Sequence, residues 1–345
     1  MKSVLKWAAL AVIVVVVLVI ARDPQYSIQR FAGSGLAASL YIPRAVIHGS
    51  NQPPAPREDP ATQQLSKTAL ESAAAYAESQ HSRALIVTRH GYRVFERYWH
   101  GSNLDTVIES SGLGRVVAAL ATGAAISGRK IGWPDEPTGY LVPAWSHDPR
   151  GRVTVRQLLQ HGADPDSLAY VIQTATAQPY AQYVSEAIWA RIGAADASIW
   201  LKRSDGTPHV DTGFFARQGD WLRVGELLLG NGNYQGDEVL LPRWVPELLQ
   251  PSRTNPAYGS YLRLGMHAAP GMSPYLTPDV YVIEGGGNRM WLVPSLQIAI
   301  LRTGGALDPD WDDGRIPNLI VNGAHDFVPP AARPGADLRL LVPNH

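Results

Sequence analysis

Ser111 and Arg115 stand four residues apart, a spacing that on a helix puts both on one face. A serine at a helix N-terminus, where free N–H groups and the dipole favour negative charge, can attack an acyl group if a neighbouring base takes its proton. Arg115 cannot be that base, because a guanidinium stays protonated at any ordinary pH. Ser110 and Ser111 therefore read as N-cap serines, with a displaced Ser111 nucleophile as the alternative. Asp308, Asp310, Asp312 and Asp313 suggest a calcium loop, but the required glycine is out of step and Leu319 stands where a bidentate Glu belongs, so a solvated acidic turn is expected. Gly230 to Gly236 resembles a dinucleotide loop only faintly and follows a helix, which makes it a turn.

Other chemistries are excluded by what the chain lacks. With no Cys there is no thiolate catalysis, disulfide or Cys-ligated zinc. The ten His are scattered, without a His-Glu-x-x-His helix, and no Gly-x-Ser-x-Gly elbow occurs. No metal or cofactor is expected. Thirty basic and thirty acidic side chains cancel, and nothing calls for nucleic acid as a partner.

The elements that must position these residues follow from periodicity. Asp59-Pro60 starts a predicted helix running toward Gln80. Strands are predicted over 84–89 and 92–98, joined by His90-Gly91 as a hairpin turn. Helical spacing covers 111–127, with Gly128 as a stop. A Pro-punctuated loop over 131–145 precedes a short helix over 154–160 capped by Thr154. A long helical tract spans 167–192, interrupted at Gln178-Pro179 and capped by Asp166 or Ser167. Two more helices cover 221–229 and 241–250. Strand-like runs close the chain at 258–264, 280–284, 290–293 and 298–302. A hairpin first, helices in the middle and strands last predict an α+β layout.

Lys2 and Lys6 precede a charge-free run from Trp7 to Ala21 that ends at Arg22. Its Val/Ile-rich length favours a signal anchor over a cleaved signal peptide. Either way the remainder is expected outside the cytoplasm: on the periplasmic side with the membrane as a partner through this N-terminal transmembrane helix, or secreted if the segment is cleaved. Residues 23–59, rich in Pro, Gly and Ser, read as a stalk, 60–330 as the globular domain and 331–345 as a tail.

Several stretches in order resemble the β-lactamase-related serine hydrolases: class C β-lactamases, D-alanyl-D-alanine peptidases, esterases and 6-aminohexanoate-dimer hydrolases. They are Ala84 to Gly91 running into Glu96 to Gly101, Arg115-Val-Val-Ala-Ala-Leu-Ala-Thr-Gly123, Gly128 to Ile131, Val153 to His161, Asp220 to Gly225, Gly285 to Pro294 and Ile298 to Gly304. Coverage is about residues 60 to 325. The resemblance implies a five-stranded antiparallel sheet with flanking helices beside an all-helical lobe, and an active site between them.

It also implies a Ser nucleophile with a Lys base one turn later, a Tyr in a Tyr-x-Asn motif, and a strand bearing Lys-Thr-Gly or His-x-Gly. None is recognisable here. Gly112 falls at the nucleophile position and Arg115 at the Lys position. The loop that would carry the Tyr shrinks to Gly162-Ala163-Asp164-Pro165-Asp166, and Tyr170 beyond it reads as a packing residue. Glu284-Gly-Gly-Gly-Asn288 stands where the basic or His residue belongs, keeping close backbone approach without the functional side chain. Arg302-Thr303-Gly304 mimics Lys-Thr-Gly but lies on the last strand, a structural position. The expectation is a non-catalytic domain whose surviving cleft binds a small molecule or peptide, regulates or assembles, with Ser111, Gly112, Arg115, Glu284 and Asn288 as remnants of the site. The alternative is a hydrolase acting through Ser111.

Overall fold

Along the predicted hairpin, successive side chains face opposite ways, and both sets are apolar: Leu85 and Val87 on one side, Ala84 and Ile86 on the other. Such a strand must be covered on both faces. A computed structural model, which describes residues 43–160, 164–202, 205–265 and 271–329, shows how. In chain order its strands are β1 (Arg44–Ile47), β2 (Ser82–Arg89), β3 (Tyr92–Tyr98), β4 (Val107–Glu109), β5 (Ala197–Trp200), β6 (Phe214–Arg217), β7 (Asn233–Tyr234), β8 (Asp237–Glu238), β9 (Arg263–Leu264), β10 (Tyr281–Gly285), β11 (Asn288–Val293) and β12 (Ile298–Gly304). Its helices are α1 (Lys67–Ser79), α2 (Gly114–Ser127), α3 (Thr138–Leu141), α4 (Val155–Leu159), α5 (Pro165–Thr176), α6 (Tyr180–Val184), α7 (Gln218–Leu229), α8 (Trp244–Leu248) and α9 (Arg315–Asn322).

The principal sheet is antiparallel in the order β3-β2-β12-β11-β10-β9. It has six strands rather than the expected five, because the two-residue β9 adds to the edge at Tyr281 and Val282. Leu70, Ala73 and Ala77 of α1 and Ile316 and Ile320 of α9 cover the face bearing Leu85, Val87, Ile298 and Ile300. The other face, with Ala84, Ile86, Ala299 and Leu301, joins the larger core shared with α2, α5 and α7. Burying each large aliphatic side chain stabilises by about 1.5–3 kcal/mol. The hairpin turn forms as read, with His90 at φ +49° and Gly91 at +79°, the paired left-handed residues of a twist-matched tight turn.

A second antiparallel sheet, β1-β5-β6-β4, was not foreseen. Its strands are three or four residues long, too short to display a period-two pattern. It corrects the stalk boundary. Arg44 to Ile47 pair with Ala197 to Trp200, and the Arg223 guanidinium binds the Gln52 and Pro53 carbonyls at 2.6 and 2.7 Å. Residues 43–59 therefore belong to the folded domain. The first helix is also shorter than read: Asp59 caps only a turn, through Ala61 N–H, and α1 starts after Ser66, whose hydroxyl accepts from Ala69 N–H. Asp164, rather than Asp166 or Ser167, caps α5. Around the Gln178-Pro179 interruption, α5 ends on left-handed Ala177 and α6 runs on into a π turn over Ser185–Trp189. The capping box of Thr154 and Gln157 on α4 matches the sequence reading.

No helix among the described residues is long and apolar enough to cross a membrane. The apolar run at 7–21, the stretch up to residue 42 and the tail at 331–345 lie outside the described residues.

Candidate functional site: a closed cleft

Where α2 meets the principal sheet, two glycine-bearing segments press together. Gly112, at φ +108°, lies so close to the end of β10 that a Cβ there would sit 2.7 Å from the Gly285 Cα and 2.9 Å from the Glu284 carbonyl oxygen. A Cβ on Gly285 would overlap the Ser111 carbonyl oxygen at 1.6 Å. Real Cβ atoms do not approach backbone this closely, so only glycine fits at both positions. The backbone itself fills the space between the helix start and the strand.

Ser111 is neither the helix cap nor part of the helix. It holds φ +43°, a left-handed conformation costly for a residue with a Cβ, and the cap of α2 is Leu113, without a side-chain hydrogen bond. The Ser111 and Arg115 pair therefore does not share a helix face. Ser110 is fully buried and points elsewhere, its hydroxyl donating to the Asp211 carbonyl at 3.2 Å. The same carbonyl accepts the Gly112 N–H at 2.7 Å, occupying a donor that could otherwise meet a substrate oxyanion. No hydrogen bond to the Ser111 hydroxyl exists among the described residues.

Arg115 is locked. Its Nε and Nη2 donate to the two carboxylate oxygens of Asp211 at 2.6 and 2.8 Å, a bidentate fork. Burial alone would lower its pKa, but the hydrogen bonds and charge of Asp211 hold it above the ordinary value. A cation so held takes no proton from a serine. Beside it, Glu109 at the end of β4 is pushed up to about 7, chiefly by burial and then by the neighbouring Asp211 charge.

Glu284 does not bring a free charge to the cleft. It accepts from the Tyr258 hydroxyl at 2.8 Å and from Arg263 Nε at 2.9 Å. Arg263 in turn pairs with Asp313, which also takes hydrogen bonds from Arg289, Tyr275 and Trp311. Asp313 is therefore a buried hub, which corrects the reading of a solvated acidic turn at that position, while Asp310 is exposed and the half-buried Asp312 accepts from Ser273 and Gly314. Burial would raise the Asp313 pKa, but Arg263 and Arg289 hold it below the ordinary carboxylate range. No cluster of metal-ligating side chains occurs among the described residues.

The remaining candidates serve packing. Asn288 is buried, donating to the Glu109 carbonyl at 3.1 Å while its Oδ1 accepts Gly304 N–H at 3.3 Å, so it ties β4 to the sheet. Tyr170 stacks on Trp145 with ring centroids 5.4 Å apart. Tyr180 is fully buried, its hydroxyl without a hydrogen-bond partner. Arg302 is buried and holds Ser82 Oγ and the Gln80 carbonyl, each at 2.7 Å, as a structural residue. The sequence reading missed Asp211, Tyr261 and Arg263. Tyr261 interacts with the Arg115 charge yet donates its hydroxyl to the Leu158 carbonyl. Asp211 had no detectable signal, since it lies 96 residues from Arg115.

No family model matches the chain. Solved structures do. It is similar to a protein described as a 6-aminohexanoate-dimer hydrolase from Bacillus anthracis, with a TM-score of 0.69 and 15% identity over 86% of this chain and 93% of the other. It is similar to simvastatin synthase from Aspergillus terreus, with a TM-score of 0.57 and 15% identity over 78% and 98%. A class C β-lactamase from Rhodobacter sphaeroides matches with a TM-score of 0.56 and 13% identity over 74% and 99%.

Proposed function

The chain has the α+β fold of the serine β-lactamases and penicillin-binding proteins, and we propose that it is a non-catalytic version of that fold, serving as a binding, regulatory or assembly module. One observation carries this reading: the contact of Gly112 with Gly285 fills the place where a nucleophile and the substrate it attacks would meet. The bidentate hold of Asp211 on Arg115 supports it, because the position of the base carries a permanently charged, anchored cation. The named neighbours are hydrolases or a synthase by their titles. Exposure to a chromogenic ester and to a penicillin tests the reading. No burst of product and no covalent acyl adduct is expected, and stoichiometric acylation would overturn it.

A second reading, an active hydrolase using Ser111, draws on the strained backbone of that residue, since strain concentrates at functional sites. It lacks a base, and the competing explanation for the strain is the chain reversal that presses Gly112 onto Gly285.

The placement of Lys2 and Lys6 before the 7–21 run supports a further part of the proposal, a membrane tether that leaves the domain outside the cytoplasm. A reporter active only in the cytoplasm, fused after His345, should stay silent. Strong reporter activity would reverse the topology.

A further inference from the structure

A second concavity lies away from the closed cleft, on the side of the molecule where α7 ends. Its volume is about 430 Å³, within the range of small-molecule sites. Thr88, His90 and Tyr92 of the β2–β3 hairpin form one wall, Glu226 and Tyr234 another, and Gln297 closes the rim. Neither Lys nor Arg lines it. His90 does not supply a cation, since burial and then the Arg89 charge lower its pKa below the ordinary value. The helix end adjoining the cavity is the C-terminal, negative pole of α7.

Glu226 is the unusual member of this wall. Its Oε1 is shielded from bulk water and has no hydrogen-bond partner. Buried polar atoms are almost always paired, so a lone carboxylate oxygen in a cavity wall marks a missing donor. Burial pushes the Glu226 pKa up to about 7, against the pull of Arg223, the Tyr234 hydroxyl and Arg93. The Tyr234 hydroxyl accepts from Arg223 and bonds the Glu226 carboxyl while leaving Oε1 unpaired, and the two arginines are committed elsewhere. Arg223 binds the Ile192, Gln52 and Pro53 carbonyls, and Arg93 binds the Ala55 carbonyl and Glu96.

We propose that this cavity is a binding site for a small ligand bearing a protonated primary amine, whose ammonium group supplies the donor that Glu226 Oε1 lacks. The negative helix pole adds attraction. A neutral alcohol of the same shape lacks the charge and is not retained. Because only the ionised carboxylate pairs with ammonium, binding tightens as pH rises through about 7, the range in which Glu226 loses its proton.

The test uses 1,4-diaminobutane as probe and 1,4-butanediol as its uncharged counterpart, with calorimetry on the full chain. The diamine stays protonated throughout, as alkyl amines titrate near pH 10. The expected results are diamine binding at millimolar concentration, none for the diol, and affinity that rises between pH 6 and pH 8, on either side of the Glu226 titration near 7. Glu226→Gln should weaken diamine binding roughly tenfold or more, as the charge-assisted bond is lost. Absence of diamine binding, equal binding of the diol or a flat pH profile of the unmutated protein would each overturn the proposal, whether or not the variant folds. So would unchanged affinity in a folded Glu226→Gln protein.

Discussion

Gly112 and Gly285 touch backbone to backbone, although 173 residues of sequence separate them and neither position has room for a Cβ. Their contact joins the start of α2 to the end of β10 and leaves no gap between them for a substrate. Gly285→Ala should therefore force the Ser111 carbonyl aside and cost about 1–3 kcal/mol or more, the usual range for overpacking. Gly305→Ala, where a Cβ would meet nothing, should stay within about 0.5 kcal/mol. Urea unfolding of both variants checks the pair, and equal stabilities would contradict the closed contact.

Arg115 and Asp211 form the second half of the blockade, and their coupling is measurable. Both side chains keep about a third of their exposure, which screens the pair, so the coupling energy should be about 1 kcal/mol. A double-mutant cycle with Arg115→Ala and Asp211→Asn gives that number directly. A value indistinguishable from zero would mean the fork is not formed in solution. Arg115→Lys should recover only part of the coupling, because Lys cannot make two parallel bonds.

Glu109 predicts a pH signature. Its folded pKa is raised to about 7, whereas an unfolded Glu titrates near 4.3. Below about pH 4 it is protonated in both states and costs nothing. Between about 4 and 7 the unfolded chain releases the proton first, so the cost of burying this group grows and is complete above 7. Glu109→Gln should remove that cost, raising stability at pH 8 by about 1–3 kcal/mol relative to the parent while leaving pH 4 nearly unchanged. Thermal unfolding at the two pH values decides it, and an equal effect at both would contradict the assignment.

Much of this could be read from residue order, and the reasons for success and failure are physical. The β2–β3 hairpin declared itself because His90-Gly91 separates two runs rich in Val, Ile, Phe and Tyr. Helix α4 did so because Thr154 and Gln157 form a local capping box. Gly112 and Arg115 were placed at the nucleophile and Lys positions by matching the Val-Val-Ala-Ala-Leu run and Gly123 to the family that the chain resembles. The closing contact was invisible, since Gly285 and Gly112 are brought together only by the assembled sheet. Ser111 was misread as a cap because a favourable residue type says nothing about φ, and here the chain turns left-handed before the helix begins. Asp313 was misread because its partners Arg263 and Arg289 arrive from other strands.

Introducing a serine and a lysine at positions 112 and 115 should not create chemistry. Gly112→Ser with Arg115→Lys places a nucleophile and a base in the right order. However, a side chain at position 112 must enter the 2.7 Å gap to Gly285, at a φ of +108° that suits glycine. The tyrosines beside this contact, Tyr258 and Tyr261, already donate their hydroxyls to Glu284 and to the Leu158 carbonyl. Groups that act as a unit fail together, so this double variant should show no ester turnover above the parent and a lower melting temperature. Turnover clearly above the parent would mean that the cleft opens.

The most direct test of the central claim is labelling of the unmutated protein with a fluorophosphonate, which reacts only with an activated serine. A non-catalytic, closed cleft predicts no labelling under conditions that saturate an active serine hydrolase run beside it, and an intact mass equal to that of the untreated chain. Stoichiometric labelling that Ser111→Ala abolishes would contradict the account and make Ser111 a working nucleophile.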